Sequence, residues 1–312
     1  MNIIFHYAAG ADLAAQLTAI AGHRIDIVAE DEDARLRHLL PEVDVLWHVL
    51  KPCTAAMIDA APRLKLIQKI GVGVNTIDMA AARARGVPVC NLPGTNAQAV
   101  AELTLALIFS CLRKLPRYDA AMRAGTGWTL PSTMQDGLYE LAGRTVGLVG
   151  YGAIPRILAP ALRALGCTVI YTTRTPRADI PDAYCPLPDL LARADILSLH
   201  IPQTPETTRL IDAAALARMK RGAILINTAR GGLVDQSALV AALLSGHLAA
   251  AGLDVFAEEP SVPADPILTL ENVVLTPHIG WLTSGTFARS FSIATENCRR
   301  LGAGEDLLHR VA

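Results

Sequence analysis

Three side chains, far apart in the chain, have the types needed to reduce a carbonyl that sits beside a carboxylate: Arg230, Glu259 and His278. A guanidinium holds a carboxylate with a fork of N–H donors. An imidazole titrates near neutral pH and can deliver a proton to an oxygen as charge develops there. A carboxylate beside that imidazole favours its charged form and aims it. Taken singly, each has a plainer reading, as a strand-end cap, a surface acid or a core histidine. A fourth feature makes them a set. The stretch Thr145–Pro155 reads TVGLVGYGAIP, in which the apolar run Val146–Val149 meets Gly150-Tyr151-Gly152 and then a helix-like segment, Ile154 to Leu165. A strand, a glycine turn and a helix N-terminus form an anion site, because the first N–H groups are unpaired and the dipole favours negative charge. The first glycine permits the tight turn and the second lets a pyrophosphate approach the backbone. Gly150 and Gly152 are therefore assigned to a dinucleotide, whose nicotinamide would supply the hydride.

The elements that must position these groups alternate along the chain. Strand-like runs at Ile3–Tyr7, Ile25–Ala29, Val45–His48, Leu64–Ile70 and Val87–Cys90 are separated by helix-like segments, which implies a parallel sheet covered by helices. Gly71-Val72-Gly73-Val74 follows the fourth run. It reads either as a small nest of outward N–H groups or as a β-to-α turn capped by Asn75 or Thr76. A long apolar helix is expected from about Ala97 to Arg113. Residues 115–141 then carry Pro116, Gly125, Gly127, Pro131 and Gly137 with little periodicity, a length that suits an interface or a functional loop, with Trp128 as a candidate anchor. A second series follows: Thr168–Thr172, Ile196–His200, Ala223–Asn227, Leu248–Leu253 and Val273–Leu275. Arg230, Asp254, Glu259 and His278 all fall just past the carboxyl ends of these strands, where open parallel sheets bind ligands, and are expected to converge on one crevice. Asp254 suits the cofactor's amide or ring end.

Rossmann-type sites place an acid about 20 residues past the glycines, on the ribose 2′-hydroxyl. Here the stretch is Thr172-Thr173-Arg174-Thr175-Pro176-Arg177, with no carboxylate and two arginines. Guanidinium pairs with phosphate oxygens, so Thr173 and Arg174 point to NADP(H) over NAD(H), with NAD(H) still admissible.

The totals bound the classes. The chain has 312 residues, 52% of them hydrophobic and 18% charged, with a net charge of −1, so no bulk attraction to nucleic acid or an anionic membrane is expected. No apolar run approaches a bilayer-spanning length, and Asn2-Ile3-Ile4-Phe5 is expected to be a first strand rather than part of a leader. Cys53, Cys90, Cys111, Cys167, Cys185 and Cys298 are scattered without metal or redox spacing. The expectation is buried free thiols, a cytoplasmic location and no metal site.

The stretches GVGVNTID (71–78), VAE (100–102), GYGAI (150–154), LHIPQTPETT (199–208), NTARGGLVD (227–235), LDVFAEEP (253–260) and LTPHIG (275–280) resemble, in order, those of the D-isomer-specific 2-hydroxyacid dehydrogenase family, its glyoxylate/hydroxypyruvate reductases in particular. The resemblance implies an α/β fold of two Rossmann-like, doubly wound parallel-sheet domains with the active cleft between them. Residues 1–97 plus 284–312 would form the substrate domain and 98–283 the dinucleotide domain. It implies Arg230 as holder of the substrate carboxylate, His278 as acid/base and Glu259 as its partner, with backbone atoms of Gly73 and Val74 facing the substrate. Ala153, Ile154, Ile201, Pro202, Thr207, Thr228, Ala229, Asp254 and Gly280 would line the cofactor, beside Arg230 and His278 themselves. It also implies a homodimer joined through the cofactor domain, and no regulatory domain after Ala312. Three departures stand out: Pro155 in place of the third glycine, Thr173 at the acidic position, and Trp281 directly after His278-Ile279-Gly280. Two other outcomes stay open: a dehydrogenase of another anion, such as 3-phosphoglycerate, 4-phosphoerythronate or phosphite, and a dinucleotide-sensing, corepressor-like interaction protein.

Overall fold

The computed structural model describes residues 1–312. The chain divides into two compact units, Met1–Asn96 with Trp281–Ala312, and Ala97–Gly280. The first unit runs β1 (Asn2–His6), α1 (Ala11–Thr18), β2 (Arg24–Val28), α2 (Asp33–Leu39), β3 (Val45–His48), α3 (Ala55–Asp59), β4 (Leu66–Lys69), α4 (Met79–Ala84) and β5 (Val89–Cys90). Its five strands are all parallel, in the order β2-β1-β3-β4-β5. Strands this buried carry apolar residues on both faces, because helices cover both. Ile4, Leu46 and Ile67 face one core and Phe5, Trp47 and Leu66 the other. The second core is sealed by aromatic packing: the Trp47 ring stacks on Phe291 at 5.6 Å, and Phe5 meets Phe291 edge-on at 5.8 Å.

The second unit runs α5 (Ala97–Arg113), α6 (Leu115–Arg123), β6 (Thr145–Val149), α7 (Ala153–Ala164), β7 (Thr168–Thr172), β8 (Ala183–Tyr184), α8 (Leu187–Arg193), β9 (Ile196–Leu199), α9 (Ala213–Arg218), β10 (Ala223–Asn227), α10 (Gln236–Leu244), β11 (Leu248–Leu253) and β12 (Val273–Leu275). The chain closes with α11 (Ser284–Ala303), which belongs to the first unit. Seven parallel strands lie in the order β12-β11-β10-β9-β6-β7-β8, so the order reverses beside β6, the strand that leads into the glycine turn. One face packs on α8, α9 and α10, and the other on α5 and α7.

Some local expectations change. Residues 115–141 are not featureless: Leu115–Arg123 is helical, since Pro116 falls in the first turn, where its missing N–H has no intrahelical partner anyway. Helix α4 is capped by Asp78, not by Asn75 or Thr76, because the Asp78 carboxylate accepts from the Ala81 N–H at 2.9 Å. Pro160 lies inside α7, where it deletes one intrahelical donor, yet the helix continues to Ala164 with Leu158, Ala159 and Leu162 buried. No helix is long and apolar enough to cross a membrane.

Candidate active site

The site in the second unit is built from six loops at the carboxyl ends of its strands. Between β6 and α7, Gly150 adopts φ +96°, and a Cβ there would sit 2.6 Å from the His200 carbonyl oxygen, so only glycine fits the turn. Gly152 is different. It caps α7 at φ −86°, and a Cβ added there meets nothing within 4 Å. Open space therefore lies against the start of a twelve-residue helix. The N–H groups of Ala153 and Ile154 make no intramolecular hydrogen bond, and Pro155 has none to offer. Pro155 is buried in the first turn, so the missing third glycine costs no donor that the cradle needs. These residues fit a pyrophosphate.

Beyond β7, Thr173 turns its hydroxyl onto the Thr175 carbonyl at 2.7 Å. Arg177 pairs with Asp179 at 3.0 Å, and Arg156 from α7 reaches the same carboxylate at 2.5 Å. The Asp179 carboxyl is pulled down to about 2 by Arg156 first and Arg177 second. A carboxylate just downstream of the stretch 172–177 thus already occupies one of the two arginines there. Arg174 stays exposed. In the loop after β9, Thr207 donates to the Pro202 carbonyl at 2.8 Å and accepts from the Thr204 N–H at 2.7 Å, fixing the path that follows Ile201 and Pro202.

Arg230 follows β10. The buried Asn227, the last residue of that strand, accepts from the Ala229 N–H at 3.1 Å and donates to the Arg230 carbonyl at 2.9 Å, pinning both ends of Thr228-Ala229-Arg230. Thr228 is held at its hydroxyl by Thr104 of α5, 3.1 Å away. Gly231 has to be glycine, as a Cβ would lie 1.8 Å from the Phe256 carbonyl oxygen. This close approach sets the Arg230 loop against the β11 loop. Burial lowers the Arg230 pKa from its ordinary value, and the charge of Glu259 opposes that shift.

His278 follows β12 at φ +55°, a left-handed conformation that a non-glycine residue keeps only when its surroundings hold it. Asp254, 1% exposed at the end of β11, does the holding. Its backbone carbonyl accepts from the His278 N–H at 2.8 Å. Its carboxylate accepts from the Thr276 hydroxyl at 2.6 Å and from the Ile279 and Gly280 N–H groups at 2.9 Å each. Burial pushes the Asp254 pKa up, against the pull of these donors. The carboxylate that the sequence offers to the cofactor thus also holds the histidine turn. Glu259 contacts His278 Nδ1 at 2.7 Å through one oxygen and accepts from the Phe256 N–H at 2.9 Å through the other. Burial works to raise the Glu259 pKa, but these two hydrogen bonds and the nearby Arg230 outweigh it, so the group lies below its ordinary value. The Nδ1 contact fixes the ring orientation.

The two positioning roles that sequence reasoning missed are those of Asn227 and Asp254. Both close strands with an amide or carboxylate, and only their backbone partners reveal the role. Gly73 and Val74 lie in the first unit, in the loop after β4. Neither N–H makes an intramolecular hydrogen bond. Trp281 also belongs to the first unit, where its ring packs edge-on against Tyr7 at 5.7 Å and Phe287 at 5.5 Å.

A family model for the NAD-binding domain of D-isomer-specific 2-hydroxyacid dehydrogenases matches residues 105–280, which hold this entire loop set. The chain belongs to the D-isomer-specific 2-hydroxyacid dehydrogenase family. It is similar to a D-3-phosphoglycerate dehydrogenase of Mycobacterium tuberculosis, with 40% identity over 94% of this chain and 56% of that one. It spans little more than half the length of such relatives. A hydroxypyruvate reductase of Thermotoga maritima is 40% identical over 81% of this chain and 83% of its own. The crystal structure of TT0316 protein from Thermus thermophilus superposes with a TM-score of 0.90 at 37% identity and covers all of both chains. The dinucleotide of a family with an NAD-binding domain fits the glycine cradle described above.

Proposed function

We propose that the chain reduces a small 2-keto acid, glyoxylate or hydroxypyruvate first, to its D-2-hydroxy acid. The observation that carries this reading is the Glu259–His278 contact at 2.7 Å, next to Arg230, in loops at the same carboxyl edge of the sheet as the glycine cradle. Arg230 holds the substrate carboxylate through its guanidinium fork. The bound nicotinamide supplies the hydride. His278 delivers a proton from Nε2 to the carbonyl oxygen, and Glu259 stabilises the imidazolium that precedes that delivery. Asp254 and Asn227 keep the two loops at the spacing the transfer needs. Gly73 and Val74 offer backbone N–H groups to the substrate. In this reading residues 281–312 and 1–96 form the substrate domain and 97–280 the cofactor domain.

The proposed cofactor is NADPH in preference to NADH, supported by Thr173 at the usual acidic position and by the exposed Arg174. A homodimer is proposed through residues 115–141, supported by Trp128, which is 89% exposed, and by half-exposed Leu115 and Met122 on the same segment. Six free, buried cysteines support a reducing cytoplasm.

The test is oxidation of NADPH and NADH by the purified chain with a panel of 2-keto acids. The expected result is turnover that His278→Ala removes while dinucleotide binding survives. Silence across the panel, or a His278→Ala variant as fast as the parent, refutes the reading. A second reading, dehydrogenation of 3-phosphoglycerate, is favoured by the 40% identity to the mycobacterial enzyme.

A further inference from the structure

Glu259 sits on an exposed stretch of chain. From Ala257 to Pro266 no residue is buried, and the apolar core resumes only at Ile267. A segment without buried side chains keeps its path through hydrogen bonds rather than packing. Residues 257–265 are tied at both ends by one side chain from another element, the amide of Gln236 in the first turn of α10. Its Oε1 accepts from the Ala257 N–H at 3.1 Å, and its Nε2 donates to the Asp265 carboxylate at 2.6 Å. An N–H only donates and a carboxylate only accepts, so these partners allow the amide one orientation. Asp265 is itself fixed: its other oxygen accepts from the Ile267 N–H at 3.0 Å and caps the short helical turn Pro266–Thr269.

The amide also joins two arms of the site. Past Arg230, Gly231–Leu233 winds one helical turn, Asp235 caps α10 by accepting from the Ala238 N–H at 3.1 Å, and Gln236 is the next residue. A Cβ on Gly231 would lie 2.5 Å from the same Ala257 nitrogen that donates to Gln236. Ala257 follows Phe256, whose N–H holds one oxygen of Glu259 while the other meets His278. The charged groups around His278 in this unit are Glu259 at Nδ1, Asp254 behind the turn, and Arg230 beside Glu259. Gln236 adds no charge to them and acts through the position of one.

We infer that Gln236 is a positioning residue for the reduction: its amide, spanning Ala257 and Asp265, keeps the Glu259 carboxylate in place against His278. This rests on the reductase reading above.

The experiment follows reduction of the 2-keto acid panel by the full-length chain at saturating dinucleotide, across pH, for Gln236→Met, Gln236→Glu and Gln236→Glu/Asp265→Asn. Methionine keeps the length and loses both hydrogen bonds. Glutamate sets two carboxylates against each other. The double variant exchanges donor and acceptor: the new amide donates to the new carboxylate, which still accepts from Ala257. Both single variants are expected to lose roughly 10- to 100-fold in kcat, the scale of a misplacement of up to about 1 Å, with the dinucleotide Kd within about twofold. Reduction needs the charged imidazole, so activity is lost as pH rises through its titration. Weaker support from Glu259 moves that alkaline limb of kcat/KM to lower pH by about 0.5 or more in Gln236→Met. The double variant should recover to within about threefold of the parent. A Gln236→Met variant within about twofold of the parent overturns the inference and leaves the reductase reading intact. So does a loss of kcat with the alkaline limb unmoved, or a double variant no better than Gln236→Glu. A parent chain silent on every acid overturns both.

Discussion

Replacing Gly152 by alanine separates binding from folding at one position. The residue lies at φ −86°, which alanine adopts without strain, and a Cβ there touches no protein atom within 4 Å. The expected change in stability is within about 0.5 kcal/mol, the size of an uneventful surface substitution. The same methyl group projects into the space before α7, where the pyrophosphate would take the Ala153 and Ile154 N–H groups. Losing one charge-assisted hydrogen bond there costs about 1.5–3 kcal/mol. That converts to a Kd for the dinucleotide raised roughly 10- to 150-fold. Gly150→Ala is the control of opposite sign. Its φ of +96° puts the change in a region that costs roughly 1–2 kcal/mol for an L residue, before the 2.6 Å approach to the His200 oxygen is counted. At about 2–4 °C per kcal/mol for a domain of this size, Tm should fall by about 4 °C or more. The assays are dinucleotide titration by fluorescence or calorimetry, and thermal melts of the unliganded variants. An unchanged Kd in Gly152→Ala would refute the cradle. A Tm loss in Gly152→Ala matching that of Gly150→Ala would refute the claim that the space is open.

Three further outcomes are expected. Asp254→Ala orphans the Ile279 and Gly280 N–H groups and the Thr276 hydroxyl, so stability should drop by about 2–4 kcal/mol, and kcat should fall further than the Kd for dinucleotide changes; a variant with normal kcat would remove Asp254 as the holder of the His278 turn. Arg174→Ala should weaken NADPH by roughly tenfold and leave NADH unchanged, since only the 2′-phosphate can pair with it; equal loss for both cofactors counts against the pairing. Burial pushes Cys53 and Cys111 up to about 12 and Cys298 up to about 11, so these thiols stay protonated in the folded chain. Their stabilising contribution is whole below the ordinary thiol value of 9.0 and is lost as pH rises from there through the folded value. A thiol reagent at mildly alkaline pH should therefore count almost none of the three until denaturant is added, and rapid labelling of the native chain would contradict their burial.

Much of the architecture could be read along the chain because parallel strands covered on both faces are continuous apolar runs. Val45–His48, Thr168–Thr172, Ala223–Asn227, Leu248–Leu253 and Val273–Leu275 have those limits in both the sequence reading and the fold. The features that escaped are those whose signal is weak or cancelled locally. Helix α6 carries Pro116 and buries no residue, so it has no apolar stripe to find. Strand β8 is two residues long. Helix α7 runs through Pro160 because burial of Leu158 and Leu162 outweighs one lost hydrogen bond.

The site divides the same way. Residue type and position past a strand end are properties of the sequence, and they suffice to single out Arg230, Glu259, His278 and the Gly150–Gly152 turn, because strand, turn and helix start are set by neighbours in the chain. Which groups a polar side chain then spends itself on depends on partners tens of residues away. Only the folded unit decides that Asp254 clamps the His278 turn and that Lys51 and Lys69 are engaged within their own unit. A carboxylate has few hydrogen bonds to accept and an ammonium few to give, and each one claimed by a buried contact is one fewer for a ligand.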